Sequence, residues 1–191
     1  MEPLSLDPHA TALILIDLQR GIVGRETAPY PAKDVVSAAR RLAERCRHRG
    51  VQVILVRVSF APDGRDRLAP RADAAGWSGT VPPDFSQIVP ELGPEPGDLV
   101  VTKRQWGAFY GTELDLELRR RGIRTLLLGG ISTNFCVEST ARDAYERGYE
   151  QVFVEDAMSG LSAEAHRFAV SVIFPRIGTV RSSEEVLAAL G

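Results

Sequence analysis

Residues 124–148 read Arg-Thr-Leu-Leu-Leu-Gly-Gly-Ile-Ser-Thr-Asn-Phe-Cys-Val-Glu-Ser-Thr-Ala-Arg-Asp-Ala-Tyr-Glu-Arg-Gly. Thr125 to Leu128 is a short continuous apolar run, the pattern of a buried strand. Gly129 and Gly130 follow, where a side chain would block close backbone approach. Thr133 or Asn134 can then N-cap a helix that runs to Gly148, a natural residue to follow a helix C-terminus. Strand, glycine turn and helix in this order are the unit of an α/β fold. Cys136 falls in the first turn of that helix. Free N–H groups and the positive end of the helix dipole point there, and both favour thiolate over thiol. Cys136 is therefore placed as a nucleophile would be. A small buried residue packing a helix start fits the same position.

Outward from this unit the chain alternates strands and helices. Ala12–Ile16 reads as a buried strand ending at Asp17, and residues 32–49 as an amphipathic helix with Val35, Val36, Ala39, Leu42, Ala43 and Cys46 on one face. Cys46 belongs to that core stripe. Val51–Val58 is a second strand, Leu99–Thr102 a third, Val152–Val154 a fifth and Ile177–Val180 a sixth. Helices are expected from about Glu113 to Arg121, over 162–174, and from Ser183 to Leu190 with Ser182 or Ser183 as cap. The alternation predicts one α/β domain over 1–191, a three-layer α/β/α sandwich around a parallel sheet. Residues 61–97 hold seven of the twelve prolines and five glycines, and so read as a long irregular connection. Such segments are usually lids or binding loops. Trp77, in its middle, is a candidate apolar wall for a substrate, a staple for the loop, or a contact with another subunit.

Charge and composition exclude several classes. The net charge is −2 with acids and bases interspersed, so nucleic acid is not the expected partner. No apolar run reaches membrane-spanning length. The first residues lack a charged and then apolar leader, and the two cysteines make no disulfide framework. A reduced, cytoplasmic protein is the expectation.

Two more residues stand where chemistry is placed. Asp17 closes the first strand, at the edge where open α/β sheets bind ligands; a turn former or helix cap is the alternative. Lys103 closes the third strand, where a surface charge is the commoner reading. Arg57, near the end of the second strand, has the geometry to hold a ligand carboxylate or to sit in a surface ion pair.

The wording of three segments resembles the isochorismatase-like cysteine hydrolases. Gly130-Ile131-Ser132-Thr133-Asn134-Phe135-Cys136-Val137 with Ser139-Thr140-Ala141-Arg142-Asp143-Ala144 resembles their nucleophile motif. Asp17-Leu18-Gln19 resembles the segment that opens their catalytic triad, although Ile22-Val23 stand where an aromatic is frequent. Lys103, Ala108, Phe109 and Thr112 match the segment of the second triad member, with Gly107 in place of a common serine. The resemblance implies a Rossmann-like six-stranded sheet in the order 3-2-1-4-5-6 and a triad of Asp17, Lys103 and Cys136. At about 4.8 Å per strand, Lys103 would start about 10 Å from the strand that carries Asp17, so twist or the following loop must bring it inward.

The resemblance further implies hydrolysis through a Cys136 thioester. Asp17 would shuttle the proton, and Lys103 would favour the thiolate. Backbone N–H groups of Ser132 and Cys136 would form the oxyanion hole, next to a cis Ile131–Ser132 peptide. Gln19, Trp77, Trp106, Phe109 and Thr133 are the expected substrate contacts. The family's metal-dependent branch carries an Asp-x-His cluster after the second strand; here that stretch is Ser59-Phe60-Ala61-Pro62-Asp63, and His9, His48 and His166 are scattered. No metal and no cofactor are therefore expected. The ether-cleaving branch lacks the cysteine, so Cys136 points to a C–N bond in a small amide or a carbamoyl (ureido) compound. An ether hydrolase with an incidental cysteine and a non-catalytic thiol sensor on the same fold are the competing readings. A homodimer or homotetramer is expected.

Overall fold

In the computed structural model, residues 4–74 and 80–191 are described. The strands are β1 (Thr11–Ile16), β2 (Gln52–Val58), β3 (Leu99–Lys103), β4 (Thr125–Ile131), β5 (Glu150–Ser159) and β6 (Thr179–Arg181). All pair in parallel, in the order β3-β2-β1-β4-β5-β6. This is the expected topology. Its switch point lies at β1 and β4, whose register sets Ile16 beside Gly130.

The helices are α1 (Arg20–Val23), α2 (Ala32–His48), α3 (Leu114–Arg120), α4 (Glu138–Glu146), α5 (Ala163–Phe168), α6 (Phe174–Ile177) and α7 (Ser183–Leu190). They split the core into two layers. On one face, Ile14, Ile16, Ile54, Val56, Val101, Leu126 and Leu128 pack against residues of α3, α4 and α6. On the other, Leu13, Leu15, Val53, Leu55 and Leu127 pack against the apolar stripe of α2 and against Val186 and Leu190 of α7. Alternate residues of each strand go to opposite faces, so the central strands read as unbroken apolar runs. Cys46 is fully buried on that stripe, and burial pushes its thiol up to about 12. A capping box between Ser182 and Glu185 starts α7.

Three elements differ from the sequence reading. β5 continues to Ser159 through Glu155 and Asp156, past a register shift opposite Leu128 and Gly130. The expected single helix 162–174 is α5, a π-helical turn over Ala169–Ile173, and α6, which takes up Ile177. Cys136 lies in a π-helical turn, Thr133–Val137, in front of α4. Neither Thr133 nor Asn134 caps it; Ser132 is the preceding residue, with no side-chain cap.

Candidate active site

The glycine pair lets β4 run against β1 at its C-terminal end. A Cβ on Gly130, where φ is 137°, would sit 2.1 Å from the Ile16 carbonyl oxygen. Close approach here requires glycine. Directly beyond it the Ile131–Ser132 peptide is cis, as expected. The Ser132 carbonyl accepts from Phe135 N–H at 3.3 Å and from Val137 N–H at 3.2 Å, and the Cys136 thiol lies 3.3 Å from it. Thr140 completes the turn: its hydroxyl donates to the Cys136 carbonyl at 2.7 Å and accepts from Ala108 N–H at 3.1 Å. The helix that carries Cys136 is thereby tied to the loop after β3. Gly107 in that loop lies against α4, where a Cβ would stand 3.3 Å from Asp143 Oδ2.

Asp17 and Lys103 meet. The Lys103 ammonium donates to Asp17 Oδ2 at 2.8 Å, with 1% and 7% of the two side chains exposed. The gap between β1 and β3 is closed from both sides. Asp17 adopts φ 58° just past β1 and donates its N–H to Val56 of β2 at 2.8 Å, so it leans over the intervening strand. Lys103 pairs in register with Val58 and reaches across β2, and its ammonium also donates to the Gln105 carbonyl at 2.9 Å. A non-glycine residue at positive φ is uncommon. Here it aims a carboxylate.

The thiol of Cys136 is buried against this pair. Burial, then the negative charge of Asp17, holds it well above the ordinary thiol range; Lys103 pulls the other way. Burial likewise raises the Asp17 carboxyl, against the opposing pull of Lys103. The sequence showed only the influences that favour the thiolate at a helix start; burial acts against them. Desolvation, together with the charge of Asp17, outweighs the pull of the ammonium toward the thiolate. Oδ1 of Asp17 is buried with no hydrogen-bond partner among the described residues.

The remaining expected contacts divide. Trp106 is 63% exposed and packs on Phe135, beside Cys136, with ring centroids 4.9 Å apart. Gln19 does not face the site. It is fully buried, donating to the Val58 and Phe85 carbonyls at 2.9 and 2.8 Å and accepting from Val58 N–H at 2.8 Å. It pins the 61–97 connection to β2, with both side-chain polar atoms engaged in doing so. Phe109 is core: it stacks on Tyr149 at 5.9 Å beneath the Arg147 guanidinium. Thr133 is buried with its hydroxyl on His166 Nδ1 at 2.8 Å. Burial holds His166 below the usual histidine range. Trp77 lies outside the described residues. Arg57 is half-buried and donates to Thr102 at 3.1 Å, on the sheet face away from Lys103. Among the described residues, no group of three or more His, Cys, Asp or Glu side chains could hold a metal ion.

The sequence reading gave Thr140, Gln105 and His166 no role in the site. Thr140 had a signal, four residues after Cys136 on one helix face. His166 had none, because its partner lies on a different element.

The match to known proteins is extensive. The Isochorismatase domain model covers residues 11–185. The chain belongs to the isochorismatase family. This family member is 49% identical over 189 residues to the uncharacterized isochorismatase family protein YwoC of Bacillus subtilis, covering 98% of this chain and 97% of that one. It is 35% identical to the ureidoacrylate amidohydrolase RutB of Methylorubrum extorquens, over 82% of this chain and 72% of the relative. Its fold superposes on an isochorismatase family protein from Burkholderia thailandensis with a TM-score of 0.94 at 46% identity, covering 99% of each chain. On N-carbamoylsarcosine amidase from Thermoplasma acidophilum the TM-score is 0.72 at 30% identity, with 91% and 96% covered.

Proposed function

We propose that this isochorismatase-family hydrolase cleaves the C–N bond of a small amide or carbamoyl (ureido) compound through a Cys136 thioester. The observation that carries this reading is the buried Lys103–Asp17 pair at 2.8 Å with the Cys136 thiol against it. Burial raises both the carboxyl and the thiol, and the arrangement sets a proton acceptor beside a proton donor. Asp17 takes the thiol proton as sulfur attacks the carbonyl carbon. Lys103 keeps the net charge of the trio from becoming prohibitive in a buried site. The backbone N–H groups of Ser132 and Cys136 receive the negative oxygen. Asp17 then returns the proton to the leaving nitrogen, the C–N bond breaks, and ammonia or an amine departs. Water next gives a proton to Asp17 as it adds to the thioester; the C–S bond breaks, and the sulfur recovers the proton. The sum is RCONH2 + H2O → RCOOH + NH3, with a carbamate as the product when R is an amino nitrogen.

The ureidoacrylate amidohydrolase and the N-carbamoylsarcosine amidase support the substrate class, since both names describe C–N cleavage in a carbamoyl compound. Trp106 and Phe135 offer the exposed apolar surface beside Cys136 for the rest of the substrate. An ammonia-release screen over small primary amides and ureido acids tests the reading. Release by the wild type and its loss in Cys136→Ser is the expected result. Turnover of a vinyl ether with no ammonia from any amide would move the ether-cleaving reading ahead.

A further inference from the structure

The loop that carries the proposed oxyanion hole is held from behind by a buried polar contact that the chemistry above does not use. Thr133 directly follows the Ile131–Ser132 peptide. Its hydroxyl meets Nδ1 of His166, on α5, at 2.8 Å. Neither residue is more than 1% exposed. The imidazole and the Tyr30 ring meet edge to face, 5.8 Å between centroids at 82°, and Tyr30 N–H is 3.3 Å from Ser159 Oγ. Gly160 backs the same loop: a Cβ there would come within 3.2 Å of Asn134 Oδ1 and 3.9 Å of Ser132 Cβ. His166 Nε2 is buried with no hydrogen-bond partner among the described residues. An imidazole with one orphaned nitrogen is a costly way to fill space, and a phenyl or isobutyl group would fill it without that cost. What the imidazole offers and they lack is the Nδ1 contact.

We infer that His166 is a positioning residue that holds the Ser132 peptide in place for the oxyanion by fixing Thr133. The inference rests on the thioester reading and names a further part of the same site. It predicts a split between two reactions of one thiol. Acylation of Cys136 by p-nitrophenyl acetate forms a C–S bond, expels p-nitrophenolate and passes through a tetrahedral oxyanion. Alkylation by iodoacetamide displaces iodide from a saturated carbon and has no oxyanion to hold.

The acylation burst and the alkylation rate are measured on wild type, His166→Phe, Thr133→Val, the double variant, and the two conservative variants Thr133→Ser and His166→Asn. Misplacement of one backbone donor predicts acylation slower by about 10- to 100-fold in His166→Phe and Thr133→Val, with alkylation changed by less than about twofold. The double variant is expected to be no slower than the slower single variant, because both break one contact. Thr133→Ser, and His166→Asn with its short amide, are expected to keep most of the wild-type burst. Equal losses in the two reactions, or no loss in either, would overturn the inference. Should His166→Phe not fold, Thr133→Val against Thr133→Ser decides the matter alone. A wild type that shows no Cys136-dependent burst would instead remove the thioester reading itself, so the two failures are distinguishable.

Discussion

The pair Asp17–Lys103 shows what one residue can owe to its surroundings. A Lys with 1% of its side chain exposed is tolerable only beside an opposite charge, and breaking such a pair typically costs about 3–5 kcal/mol. Lys103→Ala is therefore expected to lower the unfolding free energy by roughly that amount. It is also expected to raise the Cys136 thiol further, since the ammonium is the charge that opposes its rise, alongside the Ser132 backbone. The sign follows from the charges: removing a cation disfavours the thiolate, so the iodoacetamide rate profile moves to higher pH. An unchanged or acid-shifted profile would show that Lys103 does not act on the thiol. The three residues themselves could be read in the sequence, each at a strand end or helix start. The balance of their effects could not. Dipole and ammonium are local and visible in the chain, whereas desolvation depends on everything folded around the site. The same limit explains Gln19 and Phe109: a motif position does not say which way a side chain turns. Ser59-Phe60-Ala61-Pro62-Asp63 offers no histidine where a metal cluster would stand after β2, so dialysis against EDTA is expected to leave ammonia release unchanged. Loss on chelation with recovery on zinc or manganese would contradict it.

At the scale of elements, the site is built where β1 and β4 close on each other. Asp17, at φ 58°, and Gly130, at φ 137°, flank the same strand ends. Gly130→Ala would put a methyl 2.1 Å from a backbone oxygen in the middle of the sheet, with no side chain able to give way. Loss of several kcal/mol, or failure to fold, is expected; a thermal melt near that of wild type would mean that β1 and β4 can separate without harm. Apolar runs and glycines made the central strands and their order legible. The π-helical turn at 133–137 was not, because an i to i+5 bond leaves no mark in residue spacing. Such turns recur at functional sites, and this one brings the Cys136 thiol to the Ser132 carbonyl. The extension of β5 was hidden by Glu155 and Asp156, which break the apolar run although the backbone continues in the sheet. The 61–97 connection was recognised by its prolines, and its anchor is Gln19.

In the whole molecule the candidate site lies at the C-terminal edge of the sheet, with Trp106 and Phe135 exposed beside it. An aromatic pair left open next to a buried thiol is a surface that association would cover. The protein is accordingly proposed to be a homodimer or homotetramer; light scattering at micromolar concentration should give a multiple of 20.9 kDa, and a clean 20.9 kDa species would refute it. The central claim is covalent. The tryptic peptide Thr125–Arg142 carries Cys136 as its one cysteine, while Cys46 lies in another fragment. Rapid acid quench during turnover of an amide or ureido acid that releases ammonia, followed by mass spectrometry of that peptide, reads the intermediate directly. The thioester account predicts an added acyl mass on Cys136 that decays on chase and is absent in Asp17→Asn. An unmodified peptide at every quench time, with Cys136→Ser still releasing ammonia at near wild-type rate, would contradict it.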